Sequence, residues 1–358
     1  MKAKKAKRHR TVKTNGHRAN GFRVPPENFD LRKASDRQLM VYGLPRRPTA
    51  ATHPRLALLW EELTERRPRF VRPEWRPVER FRPSELRHQR SFFDTPPRDV
   101  NPFLAPWWGR IIDSGGIIAD LAKFETSTNW CGAYVKRPIL GIATDRPHIE
   151  PLRVVAGRWT VPAVSVPASA YTGSTPANGS YRCSVWVGID GTAGSTDVLQ
   201  AGTESIINVS GGKITGTTYR AWIEWFGLVS IPEPLAVSPG DVVSCTVCAP
   251  WLTQNGSAII YNMTTNEVAT YPIVPPPNTK LSGNVAEWIA EDPGKAGGGL
   301  YPLANFGQVV FTHCSAGTQN IALDLASANF IDLVDSAKNY RAISYYVSRS
   351  SLRCEFKR

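Results

Sequence analysis

Residues 181–190 read Tyr-Arg-Cys-Ser-Val-Trp-Val-Gly-Ile-Asp, and their alternation decides the fold. At a period of two, Tyr181, Cys183, Val185, Val187 and Ile189 share one face, which is a core face. The other face carries Ser184, Trp186, Gly188 and Asp190. Working outward, further β-type runs fall at 158–166, 219–229, 241–248, 257–262, 285–291 and 308–313, divided by Gly, Ser, Asn and Pro. Many short strands at close spacing, with no βαβ alternation and no repeat, predict an all-β chain folded as an antiparallel sandwich or barrel from about Phe124 onward.

The first third has a different texture. Residues 1–110 hold 26 Lys+Arg against 11 Asp+Glu, while the remainder holds 17 against 19, so the overall charge of +13 belongs to the N-terminal region. That region also carries 13 of the 29 prolines and 20 arginines, a composition that resists compact packing. Ser35-Asp36-Arg37-Gln38 is a capping-box pattern, with Gly43 and Pro45 as a stop. Residues 53–67 place Leu56, Leu59, Trp60 and Leu63 on one helical face, and Pro68 ends the run. Two short helices on a basic, Pro/Arg-rich string need a surface to dock on. The chain thus divides into a basic N-terminal region over 1–122 and a sandwich domain over 123–358.

Several function classes drop out. No window approaches 18 consecutive apolar residues, which excludes a helical membrane span, and the basic N-terminus is followed by no apolar stretch of the kind a secretory signal needs. Beyond residue 110 the histidines are His148 and His313, which leaves little for Ser-His or Cys-His catalysis. No GxSxG, HExxH, P-loop or zinc-ligand pattern occurs. The six cysteines permit disulfides without requiring them. Cys245 and Cys248 sit on an alternating run, where positions i and i+3 face opposite sides, so they read as structural thiols and not as a redox pair.

Carboxylate chemistry remains. Arg220, Trp222, Glu224 and Phe226 share a face of one strand; Glu287, Ile289 and Glu291 share a face of another; Gln200, Gly202 and Glu204 point together. A merely solvated face would favour Lys, Thr and Ser over Trp186 and Trp222. An aromatic-walled groove with acids at its floor suits an extended polymer, either peptide or glycan. Two chemistries fit: a glycosidase with paired carboxylates, or an acid peptidase using one carboxylate and one amide.

Seven motifs in order resemble the eqolisin family of glutamic peptidases: 127–133 (STNWCGA), 157–162 (GRWTVP), 186–191 (WVGIDG), 199–202 (LQAG), 221–225 (AWIEW), 286–292 (AEWIAED) and 303–307 (LANFG). The resemblance implies a concanavalin A-like sandwich of two large antiparallel sheets and a catalytic pair at Gln200 and Glu291. It places Trp130, Trp186, Asp190, Trp222 and Glu224 in substrate binding. It further implies a secreted, monomeric acid endopeptidase acting on polypeptides through an activated water, with no metal or organic cofactor. Arg220, Phe226, Glu204 and Cys131 depart from the family pattern and bear on subsite preference. A carbohydrate-binding or glycoside-hydrolysing sandwich competes, although a glutamine at position 200 would not serve as one of two glycosidase carboxylates. The basic N-terminal region also admits nucleic-acid binding, as the lesser reading. The contrast in charge favours a pro-region instead, whose arginines and 53–67 helix lie over the catalytic cleft and which is shed in acid.

Overall fold

The computed structural model describes residues 24–77, 124–140, 148–192, 197–226, 230–233, 235–249, 256–276, 279–295 and 298–357. Two helices come first, α1 (Asp36–Val41) and α2 (Pro54–Arg66). The strands that build the sandwich are β1 (Arg69–Phe70), β2 (Phe124–Ser127), β3 (Trp130–Lys136), β4 (Val154–Thr160) and β5 (Gly179–Ile189). They continue with β6 (Leu199–Ser210), β7 (Lys213–Trp225), β8 (Val242–Cys248), β9 (Gly256–Asn262) and β10 (Glu267–Ile273). The last are β11 (Val285–Glu291), β12 (Gln308–Gly317), β13 (Asn329–Val334), β14 (Tyr340–Ser348) and β15 (Ser351–Phe356).

The front sheet runs β12-β15-β14-β13-β3-β11-β5-β6-β7 and the back sheet β1-β10-β9-β8-β4-β12. Strand β12 belongs to both. Residues 308–311 pair with β15, and from Thr312 onward the strand pairs with β4. The register shifts between Thr312 and Ser315, and His313 takes a left-handed φ of 54°. A bulge of this kind bends a strand sharply, which lets one strand turn the corner between two packed sheets. Pairing is antiparallel except where β2 joins β13 and β1 joins β10.

The core between the sheets is filled by the faces that alternation predicts. Tyr181, Cys183, Val185, Val187 and Ile189 of β5 all belong to it, with Trp288 beside them on β11 and Trp159 and Ile260 of the back sheet opposite. Two of the buried indoles are satisfied across the sandwich, Trp159 Nε1 donating to Thr203 Oγ1 at 3.0 Å and Trp288 Nε1 to the Ala156 carbonyl at 2.8 Å. All six cysteines are free, buried thiols, and burial pushes those of Cys183, Cys245 and Cys314 well above the ordinary range. They are inert packing groups.

The N-terminal region departs from expectation. Both helices form: Ser35 Oγ accepts the Gln38 N–H at 3.3 Å, and the Gln38 side chain accepts the Ser35 N–H at 2.8 Å. Residues 24–72 do not lie over the carboxylate-bearing face; residues 1–23 and 78–122 of the expected pro-region fall outside the described residues. Residues 24–72 pack against the outer side of the back sheet, where Leu39, Leu44, Trp60 and Leu63 meet Ile259, Tyr261 and Val268. Glu62 is ion-paired with Arg158, Arg55 with Asp324 at 3.1 Å, and the His53 Nε2 atom lies 3.1 Å from the Thr318 carbonyl oxygen. The physical reason is complementarity. Ile259 and Tyr261 alternate with the core residues Ala258 and Ile260, so they point outward and need an apolar cover that the acidic face does not. Three residues after β1, Glu74–Pro77 pairs antiparallel with Ser230–Glu233, just beyond β7. The boundary expected at 122/123 falls outside the described residues.

Candidate active site

The site is built on the outer face of the front sheet, around β5. Glu291 of β11 lies opposite Ser184, Gln200 of β6 opposite Gly188, and Glu224 of β7 opposite Gln200. Trp186 stands between these two positions on the same face. Its indole reaches diagonally, Nε1 donating to Glu291 Oε2 at 2.8 Å, while its benzene edge lies over Gly188. A Cβ at Gly188 would meet Trp186 Cζ3 at 2.8 Å and Gln200 Cβ at 3.3 Å. A Cβ at Gly202 would strike Trp186 Cβ at 2.5 Å and the Val185 carbonyl oxygen at 2.2 Å. Both positions therefore need glycine for the ring to lie flat along the sheet, with Glu291 at one end and Gln200 at the other.

Glu291 is held from its other side by β3. Trp130 Nε1 donates to Glu291 Oε1 at 3.2 Å and Asn129 Nδ2 to the same oxygen at 3.5 Å. Asn129 is itself oriented by Ser127, whose hydroxyl donates to Asn129 Oδ1 at 2.9 Å. Trp130 and Trp186 meet edge to face, with centroids 5.0 Å apart at 78°. On the other side of the indole, Gln200 Nε2 donates to Glu224 Oε2 at 2.9 Å. The tryptophans are floor more than wall: Trp186 is 0% exposed, and Trp130 and Trp222 are also buried.

Burial raises the acids. The Glu291 carboxyl is lifted to about 8 by burial and by the charges of Glu224 and Asp292, against the opposing hydrogen bonds of the two indoles. Glu224 is lifted to about 7 by burial, opposed by its bond from Gln200 and reinforced by Glu204. Both keep partial contact with solvent at the groove. Glu287, opposite Gly188 and Tyr134, is 0% exposed with neither oxygen hydrogen-bonded, and burial and the charges of Asp190 and Glu291 push it well up. Asp292 rises to about 7 through burial in spite of the Arg341 guanidinium at 2.8 Å.

Of the residues expected in the site, Gln200, Glu291, Trp130, Trp186, Trp222 and Glu224 share this face. Asp190 does not. Its left-handed φ of 67° turns it out of the strand's alternation, and its carboxylate accepts the backbone N–H groups of Ser282, Gly283 and Asn284 at 2.5–2.8 Å. It fixes the loop that leads into β11 and presents no oxygen to the groove. Glu204 is clamped by Arg182 at 3.3 Å and by a bidentate contact from Arg220, so Arg220 holds an acid in place. Sequence reasoning assigned no role to Asn129, although it stands inside a quoted motif, nor to Arg341, which no local pattern links to Asp292. Among the described residues no group of three or more His, Cys, Asp or Glu could hold a metal ion, and no helix is long and apolar enough to cross a membrane.

Known proteins resemble this chain in sequence and in fold. Aspergillopepsin-2 of Aspergillus niger is 31% identical over 219 residues, covering 58% of this chain and 71% of that protein. Scytalidopepsin B of Scytalidium lignicola is 28% identical over 199 residues, covering 54% and 72%. A crystal structure of scytalido-glutamic peptidase with a peptide-based transition state analog superposes with a TM-score of 0.51 at 25% identity, over 64% of this chain and 98% of that one. The peptidase A4 family model matches residues 128–356, and the chain belongs to that family, the eqolisin or glutamic peptidases, which hydrolyse peptide bonds.

Proposed function

We propose that the chain is an acid endopeptidase in which Glu291 activates a water and Gln200 receives the oxyanion. The observation that carries this is the Trp186 indole, which separates one hydrogen-bonded carboxyl from one anchored amide on a single sheet face. Glu291 takes the water's proton as it attacks the scissile carbonyl, then returns it to the departing amine. A primary amide has two N–H groups. Gln200 gives one to Glu224, which fixes the side chain, and the other is left for the developing oxyanion.

Acid conditions follow from crowding. Glu224, Glu287, Glu291 and Asp292 cannot all be ionised in one enclosed site, so most must carry protons. Within that set, Glu291 has two indole donors supporting its anion, and Glu287 has no partner and stays neutral. The base is thus the minor ionised fraction of Glu291, which the two indole donors support although burial raises the carboxyl to about 8. Extended polypeptides are the substrates, lying along β5 and β6 over Trp186 and Trp222. An extracellular, acidic place of work fits both the family and this charge arrangement.

Replacing Glu291 with Gln, or Gln200 with Ala, is expected to leave a folded protein with peptide hydrolysis lowered by about a hundredfold or more. Full activity in a folded Glu291→Gln enzyme would overturn the assignment.

A further inference from the structure

The outer face of the front sheet continues past Glu291 to a second cluster of charge. Pairing across the sheet sets Glu291, Ser184, Glu204 and Arg220 in one row over β11, β5, β6 and β7. The next row, toward Gln200, is Ile289, Trp186, Gly202 and Trp222. Arg182 stands two residues beyond Ser184 on β5, and alternation gives it the same face. At about 3.4 Å per residue, Arg220 lies about 7 Å and Arg182 about 14 Å past the row of Trp186, the indole between Glu291 and Gln200.

Two guanidinium groups converge there on one carboxylate. Arg220 donates to Glu204 Oε2 through Nε at 2.7 Å and through Nη2, and Arg182 donates to Glu204 Oε1 through Nη1 at 3.3 Å. Arg182 is fixed further by its Nε bond to Ser180 Oγ at 3.2 Å and by stacking on the Tyr301 ring, 3.6 Å from guanidinium carbon to centroid. Tyr301 is anchored in turn, its N–H donating to the Pro293 carbonyl at 3.0 Å. One arginine would satisfy Glu204. The second leaves the three groups with a net positive charge whether Glu204 is ionised or not. Arg220 Nη1 and Arg182 Nη2 are not used in these bonds, and the two side chains keep 12% and 22% of their surface open. A planar guanidinium held in place is suited to a carboxylate.

We propose that Arg220 and Arg182 form a subsite that selects an acidic side chain, Asp or Glu, two to four residues from the scissile bond of the polypeptide substrate. The spacing follows from the distances above, since an extended substrate advances about 3.4 Å per residue over the same sheet. Its carboxylate accepts from Arg220 Nη1 or Arg182 Nη2. Glu204 is a positioning residue, which holds the two forks in place and competes with the substrate for their charge. The inference rests on the peptidase reading and specifies which polypeptides are cut.

The test is digestion of a peptide library by the full chain at about pH 5, with the cut sites identified by mass spectrometry; substrate Asp and Glu, with ordinary values of about 3.9 and 4.3, are ionised there. Asp and Glu are expected to be enriched about tenfold over Asn and Gln at one position two to four residues from the cut. Two synthetic peptides differing only by Asp or Asn at that position should then differ about tenfold in kcat/KM. Arg220→Gln is expected to lower that ratio to about threefold or less. Glu204→Gln takes away the competing charge, keeps an acceptor for both forks, and is expected to raise the ratio by about threefold. The two variants move the ratio in opposite directions, which a loss of local order does not do. Should Arg220→Gln fail to fold, Glu204→Gln decides alone. An Asp/Asn ratio near one in the parent overturns the subsite, as does a ratio that the folded variants leave unchanged. A library left uncut by the full chain overturns instead the peptidase reading on which the subsite rests.

Discussion

Trp186 Nε1 donates to Glu291 Oε2 at 2.8 Å on the diagonal between adjacent strands, since the residue directly opposite Trp186 is Ile289. The bond favours the ionised carboxyl and works against the burial that raises it. Trp186→Phe keeps most of the ring and removes the donor. Losing a hydrogen bond to the charged form lifts the Glu291 carboxyl further, by about one unit or more. A base that binds its proton more tightly is ionised less at a given acid pH, so the acid limb of the kcat/KM profile should move upward. A profile merely lowered, without displacement, would show that the bond does not set the base.

The same cluster predicts an unusual pH dependence of stability. Glu224, Glu291 and Asp292 are raised in the folded protein to about 7, 8 and 7 from ordinary values of 4.5, 4.5 and 3.8. Between the ordinary values and the raised ones, the native state binds more protons than the unfolded chain. Stability then falls as pH rises through that window, and the full contribution is present below it. Urea midpoints should be higher at pH 4 than at pH 7.5. A higher midpoint at pH 7.5 would count against the raised values.

Glu287 sharpens that expectation. It has no partner to support a charge, so it contributes only as a neutral group. Glu287→Gln preserves shape and removes the cost of keeping a proton on a buried acid at a pH where the unfolded chain releases it. The variant should therefore unfold at higher urea than the parent at pH 7.5 and at nearly the same urea at pH 4. An equal destabilisation at both values would mean that Glu287 acts by a hydrogen bond and not by its protonation state.

How much of this was legible depended on local periodicity. Strand β11 was readable to the residue because Ala286, Trp288 and Ala290 face the core while Glu287 and Glu291 do not. Strand β6, which carries Gln200, was harder: residues 199–207 are buried on both faces, so the alternation that marks a half-exposed strand is lost. Asp190 obeyed the alternation in sequence and broke it in space, because one left-handed residue at the strand's end redirects its side chain. The β12 corner has the same origin at His313. None of these local departures leaves a periodic trace. The docking face of α2 was illegible for another reason: its partners Ile259 and Tyr261 lie some 200 positions away, and an amphipathic helix does not state which apolar surface it covers.

That docking gives the last prediction. If residues 24–72 were an inhibitory cover on the cleft, loosening them would raise activity. They are clamped instead to the back sheet by Trp60 and Leu63, by the Arg158–Glu62 pair, and by β1 running parallel to β10. Arg158 sits on β4, which also carries the core residue Trp159, so the clamp is tied to the centre of the sandwich. Leu63→Ala removes buried methyl groups from this contact and should cost about 2–5 kcal/mol of stability. The Trp186–Glu291 geometry lies on the other sheet and should be untouched, so kcat and the pH profile should match the parent wherever the variant is folded. Urea titration and steady-state kinetics on the same preparation separate the two readings. A Leu63→Ala enzyme with raised kcat and unchanged stability would return α2 to the cleft.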